Sequence, residues 1–139
     1  MNRTLFLILS LIAVCNISST CKKNKSNCHR YYTVKNNSNK AIYFIWNIDS
    51  AISLLNYPPG VSPAEYKCEV NTQKSDSYPG CIEYVINHSL AKMMYVFTFD
   101  AHIIETVPWD TVKENYMILK KYSLTRAQLD SANWIINYP

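Results

Sequence analysis

The sequence predicts a mainly β, β-rich α+β fold: a small antiparallel β-sandwich with two short helices in its C-terminal third. Three observations lead there. The chain has 139 residues, enough for one domain. Eleven tyrosines and three tryptophans stand against only two glycines, and aromatic residues suit a pleated, half-buried surface. Short apolar runs also recur with turn-forming residues between them, and most lack the intervening helix that a parallel sheet requires.

The first element is not part of that fold. Arg3 precedes the apolar run "LFLILSLIAV" (5–14), and small polar residues follow. This order of charge, apolar run and small residues predicts a secretory signal over residues 1–20. The run is too short for a membrane-spanning helix, which needs about 20 residues. A bacterial lipoprotein signal ends at a cysteine that receives lipid, and its peptidase prefers small residues just before the cut. Ser18, Ser19 and Thr20 precede Cys21, whereas Val14 precedes Cys15. Cys21 is therefore the expected attachment residue; a cut before Cys15, or release without lipid, are the alternatives. The polar "KKNKSN" after Cys21 makes residues 21–28 a solvated tether to the membrane, and residues 29–139 the domain.

With Cys15 removed and Cys21 acylated, Cys28, Cys68 and Cys81 remain. Export exposes them to an oxidising compartment, so one bridge can form. Cys28–Cys81 and Cys68–Cys81 are both open on this reading; the first would close a long loop, worth about 4 kcal/mol on the chain-entropy model. Cys68 lies in an alternating run and otherwise reads as a buried thiol.

Within the domain, Tyr31–Lys35 and Ala41–Ile48 flank "NNSNK", a hairpin pattern. Residues 49–66 hold three prolines and a glycine and read as a long connection, with one helical turn over Ala51–Leu55. "EYKCEVNT" (65–72) alternates like a strand, "QKSDSYPG" (73–80) reads as a loop, and "CIEYVINH" (81–88) as a short strand. "KMMYVFTFD" (92–100) is apolar throughout and is expected at the sheet centre. Pro108 and Asp110 open a helix over 106–119 with Val112, Tyr116 and Leu119 on one stripe. A strand is expected over 118–124, and Thr125 with Gln128 makes a capping box for a helix over 126–132. "NWIINYP" (133–139) reads as the last strand. The expected core is Val34, Ile42, Phe44, Val85, Tyr95, Phe97, Phe99, Trp109, Leu119, Leu129 and Trp134.

The C-terminal segment carries a resemblance. Phe99-Asp100-Ala101, Pro108-Trp109-Asp110-Thr111-Val112, Leu119-Lys120 with Tyr122 and Leu124, Leu129, and Asn133-Trp134 with Ile136, Tyr138 and Pro139 resemble the ending of a group of small uncharacterised lipoproteins from Bacteroides-type bacteria. Lys121 stands where that group has arginine. "HRYYTVKNNSNKAIY" (29–43) resembles the group's first hairpin, and "CIE" (81–83) its Cys-x-Glu. The resemblance implies an exported, lipid-anchored single domain, in the cell envelope and at the outer membrane. It implies no activity, and it favours the Cys28–Cys81 pairing because both cysteines fall in matching segments.

Several function classes drop out on composition. Two glycines cannot build a phosphate-cradling loop. From Lys22 onward the net charge is +3, a mild excess partly concentrated in Lys22, Lys23, Lys25 and Arg30, which falls short of the dense basic patch of a nucleic-acid surface. There is no CxxC, and His29, His88 and His102 show no ligand spacing, so no metal or other cofactor is expected. Asp100, Glu105, Asp110 and Glu114 are carboxylates within fifteen residues, with His102 nearby, and could supply the carboxylate pair of a glycan hydrolase. Helix capping and solvated faces account for them more simply, so no catalytic residue is assigned. Trp46, Tyr57, Tyr66, Tyr78 and Tyr116 can form either a stacking platform for a glycan or part of a small core. The function expected is a lipid-anchored envelope domain that binds or scaffolds, with the membrane and an envelope protein or glycan as partners; a small glycan hydrolase and a soluble secreted factor are the alternatives.

Overall fold

The computed structural model describes residues 28–51 and 67–139. The signal segment, Cys15, Cys21, the tether through residue 27, Tyr57, Tyr66 and all but the first residue of the helical turn expected at Ala51–Leu55 lie outside the described residues.

The fold is a small β-rich α+β arrangement. Its elements in chain order are β1 (Tyr31–Asn36), β2 (Ile42–Asn47), β3 (Lys67–Cys68), β4 (Gln73–Ser77), α1 (Ile82–His88), β5 (Met93–Asp100), α2 (Ala101–Thr106), α3 (Trp109–Glu114), β6 (Lys120–Thr125), α4 (Arg126–Ser131) and β7 (Ile135–Tyr138). One sheet has the order β4-β1-β7 and the other β3-β2-β5-β6. All pairings are antiparallel except β1 with β7, which is parallel with Thr33 opposite Ile135.

Two apolar layers hold these sheets. Tyr32, Val34, Ile136 and Tyr138 of the first sheet pack against Ile42, Phe44, Met94 and Val96 of the second. Ile82 and Ile86 of α1 and Leu129 of α4 join this layer. The opposite face of the second sheet, with Tyr43, Ile45, Tyr95, Phe97 and Phe99, is covered by α2, α3 and the segment after them through Val107, Trp109, Val112, Met117 and Ile118. The order of layers is therefore sheet, sheet, helices. This explains the unbroken apolarity of β5: a strand buried on both faces has no polar side.

The same argument explains why the expected hairpin does not form. β1 alternates, with Tyr32, Val34 and Asn36 inward and Tyr31, Thr33 and Lys35 outward, because only one face of its sheet is covered. β2, "IYFIWN", is buried on both faces. The two strands therefore enter different sheets, and residues 37–41 form a corner between them. Asn36 organises that corner. It is fully buried, its Nδ2 donates to the carbonyls of Lys40, Cys68 and Glu69 at 2.8, 3.1 and 3.2 Å, and its Oδ1 accepts from Ser38 N and Oγ at 3.0 and 2.6 Å. A buried amide so fully bonded fixes one backbone path.

Other elements also differ from expectation. Residues 73–77 are a strand, not a loop; β4 pairs along β1 from Lys35↔Gln73 to Tyr31↔Ser77, and its polar side chains suit a sheet edge. Residues 82–88 are helix, not strand, because Ile82 and Ile86 lie one turn apart and both enter the inter-sheet layer. Instead of one helix over 106–119 there are two: Asp100 caps α2, Pro108 starts α3, and Tyr116, at φ 50°, ends the helical path. Among the described residues of the strand expected over 65–72, Lys67–Cys68 form β3. β6 and β7 lie within one to two residues of their expected positions, and the Thr125–Gln128 capping box forms as expected. Of the expected core, Val85 and Trp109 are half-buried and Leu119 is 38% exposed. Leu119 falls outside because α3 ends at Glu114, so it no longer shares a stripe with Val112.

Candidate functional site

Cys28 and Cys81 are joined by a disulfide, with Cα atoms 5.0 Å apart. Cys68 is free and buried, its sulfur 3.5 Å from the Thr72 carbonyl, so the alternative Cys68–Cys81 pairing does not occur. Two backbone bonds bring the pair together. Tyr78 N donates to the Arg30 carbonyl at 2.8 Å and Ile82 N to the His29 carbonyl at 3.0 Å, extending the β1–β4 pairing past the ends of both strands. Cys81 then occupies the residue before α1, in extended conformation.

Beside the disulfide sits a polar cluster. Glu83, in the first turn of α1, is only 4% exposed. The backbone N–H of His29 donates to both of its carboxylate oxygens, at 2.9 and 2.8 Å. The His29 Nδ1 contacts Oε1 of the same carboxylate. The imidazole lies flat on Trp134, with ring centroids 4.3 Å apart and planes at 18°. Trp134 is held in turn: its Nε1 donates to Asp130 at 3.0 Å, and its backbone N to the Leu129 carbonyl at 2.8 Å. Asn133 and Trp134 both take left-handed backbone angles, φ 51° and 60°. This is uncommon for a residue as bulky as tryptophan, and it delivers the indole from the end of α4 onto His29.

The two Sγ atoms and a Glu83 oxygen all lie within 4.8 Å of one another. Two sulfurs and a buried carboxylate thus converge, with the His29 imidazole against the carboxylate. The single sequence signal for this cluster was adjacency: His29 follows Cys28, and Glu83 lies two residues after Cys81. Once the cysteines pair, their neighbours must meet. Histidine spacing within the sequence could not reveal it.

The C-terminal carboxylates are arranged differently. Asp100 pairs with Lys40 at 2.8 Å and accepts from His102 N at 3.0 Å as the cap of α2. The hydrogen bond from Lys40, with the His102 N–H and the charges of Lys40 and His102, holds its carboxyl below the ordinary value despite partial desolvation. Glu105 pairs with Lys67 at 2.9 Å, and that contact holds its carboxyl low as well. Asp110 is 85% exposed and pairs with Lys113 at 3.0 Å; Glu114 is exposed. A glycosidase acid needs a carboxyl raised toward neutrality, and Asp100 and Glu105 are shifted the other way.

No family model, curated protein or solved structure matches the chain.

The aromatic residues divide between core and surface. Trp46 and Tyr78 are half-buried and meet edge to face at 5.4 Å, and Trp46 meets Tyr32 at 6.4 Å, so they brace the inter-sheet layer and are not a platform. Gly80 lets this happen: a Cβ there would lie 2.8 Å from the Tyr78 ring. Tyr116 is 55% exposed, and Tyr31, at 61%, stands on the open face of the first sheet. Among the described residues no helix is long and apolar enough to cross a membrane.

Proposed function

We propose that the protein is exported and tied to the cell-envelope membrane by lipid on Cys21, and that its folded part binds or scaffolds there. The Cys28–Cys81 disulfide is the observation that carries this reading. Such bonds persist in oxidising compartments and are rare in the cytosol. This one stands where the charged tether meets the fold, seven residues after Cys21, so a pull on the anchor is borne by a covalent bond. Several acyl chains on one cysteine hold a membrane firmly, at about 0.8 kcal/mol per buried CH₂.

A binding or structural role is favoured over glycan hydrolysis because Asp100 pairs with Lys40 and Glu105 with Lys67, which Glu69 shares, and both carboxyls are held below their ordinary values. The open face of the first sheet, with Tyr31, Thr33, Lys35, Ser75, Asn137 and the exposed Ile135, has hydroxyls, an amide, one cation and apolar surface that suit a partner such as an envelope protein or a glycan.

The test is the mass of the N-terminal peptide of the mature protein, isolated from detergent-extracted membranes. A peptide beginning at Cys21 and carrying acyl chains is expected. An unmodified start in the soluble fraction would make the protein a secreted factor and overturn the anchor.

A further inference from the structure

We propose that Cys28, Cys81 and Glu83 form a latent binding site for a thiophilic divalent cation of the zinc type, closed by the disulfide and opened by its reduction. The donor atoms are already assembled: both sulfurs and a Glu83 oxygen lie within 4.8 Å of one another. In a tetrahedral zinc site, bonds of about 2.3 Å to sulfur and 2.0–2.2 Å to oxygen place donors roughly 3.5–3.8 Å apart. Breaking the sulfur–sulfur bond lets the two atoms part toward that spacing. Two thiolates select zinc-type ions over magnesium or calcium.

Glu83 is the third donor, a carboxylate only 4% exposed beside the two sulfurs, and its burial carries a desolvation cost that hydrogen bonds offset. Here the carboxylate is held in place by the His29 backbone N–H on both oxygens and by the imidazole on Oε1. The imidazole is immobilised against Trp134. Histidine–carboxylate pairs of this kind orient ligands in metal sites, and solvent supplies the fourth position.

The opening step is a two-electron reduction. An external dithiol breaks the Cys28–Cys81 bond, is itself oxidised to a disulfide, and leaves one thiol on each cysteine. The cation then forms two metal–sulfur bonds and a metal–carboxylate bond, and the two thiol protons leave to solvent. In an oxidising compartment the site stays shut until such a reductant is supplied.

The experiment uses the full chain in detergent. It is reduced with a phosphine, desalted without oxygen and titrated with Co²⁺. Thiolate-to-cobalt charge-transfer absorption and the visible bands of a tetrahedral ion are expected, saturating at one equivalent, with neither in the oxidised protein. Glu83→Gln should weaken binding by about 10-fold to 100-fold, as loss of a ligand or its orienting partner does. Zn²⁺ should protect Cys28 and Cys81 from iodoacetamide, read by peptide mass. Absence of the charge-transfer band, protection of Cys15, Cys21 or Cys68 in their place, or equal affinity in the Glu83→Gln variant would each overturn the proposal. The last comparison holds even where reduction loosens the fold, because cysteines in an unfolded chain capture metal without regard to Glu83.

Discussion

Both oxygens of the Glu83 carboxylate accept the backbone N–H of His29, at 2.9 and 2.8 Å, across 54 residues of sequence. This contact fastens the start of the folded chain to α1 independently of the disulfide beside it. Glu83→Ala strips the exposed His29 of the buried partner of its N–H and ring. It is expected to cost about 1–2 kcal/mol, because water reaches His29 and replaces part of what is lost. Urea unfolding of the oxidised protein checks this: the midpoint should fall while the slope is unchanged.

Strand β5 is buried on both faces, so side chains on either face should matter alike. Met94→Ala opens the inter-sheet layer and Phe97→Ala the layer under α2 and α3. Each is expected to cost about 3–4 kcal/mol. Leu119→Ala, at a position 38% exposed, should cost less than about 1 kcal/mol. Equal losses at Leu119 and Phe97 in denaturant titrations would contradict the layer assignment.

Tyr122 ties the two sheets together at their edges, its hydroxyl donating to the Asn137 carbonyl at 2.9 Å. Burial, with a smaller contribution from Tyr138, pushes its phenol up to about 12 from an ordinary 10.0. A pKa raised in the folded state means stability that is complete below pH 10 and lost as pH climbs toward 12. Tyrosinate absorbance should therefore show a late-titrating phenol that Tyr122→Phe removes, beside that of Tyr43, which burial also raises. The same variant should lose about 1 kcal/mol at neutral pH for the missing hydrogen bond and show a shallower alkaline decline.

The acid limb has the opposite sign. Asp100 and Glu105 are held below their ordinary values of 3.8 and 4.5, first by hydrogen bonds from Lys40 and Lys67 respectively. Carboxyls depressed in the fold add stability that is full above those ordinary values and lost as pH falls through the lower, folded ones. Both pairs are at the surface, so the contribution is small. Carboxyl-carbon NMR titration should show the Asp100 midpoint rise in Lys40→Ala and the Glu105 midpoint rise in Lys67→Ala, each leaving the other unmoved.

Much of this fold is written in local pattern. The uninterrupted apolarity of "MMYVFTF" marks a central strand, and Thr125 with Gln128 marks a helix start that forms as read. What local pattern misleads on is partnership. The Asn-rich "NNSNK" looks like a hairpin turn, yet Asn36 is a buried hub for a corner between sheets, and only the contrast between one-sided β1 and two-sided β2 betrays it. "QKSDS" has no apolar residue and becomes a strand solely because β1 offers it an edge. "CIEYVINH" has the composition of a strand but the spacing of a helix, and burial of Ile82 and Ile86 in one layer decides in favour of spacing. The polar cluster was hidden for the same reason: no periodicity links His29, Glu83 and Trp134, and it is the Cys28–Cys81 bond and the left-handed turn at Asn133–Trp134 that gather them.

The claim that the domain is held to a membrane through Cys21 is tested most directly by labelling growing cells with an alkyne-bearing fatty acid and reading label on the protein. The account predicts that the wild-type chain takes up label and partitions with membranes, and that Cys21→Ser takes up none while keeping the Cys28–Cys81 bond. A wild-type chain without label, or a Cys21→Ser chain labelled as strongly as wild type, would contradict it.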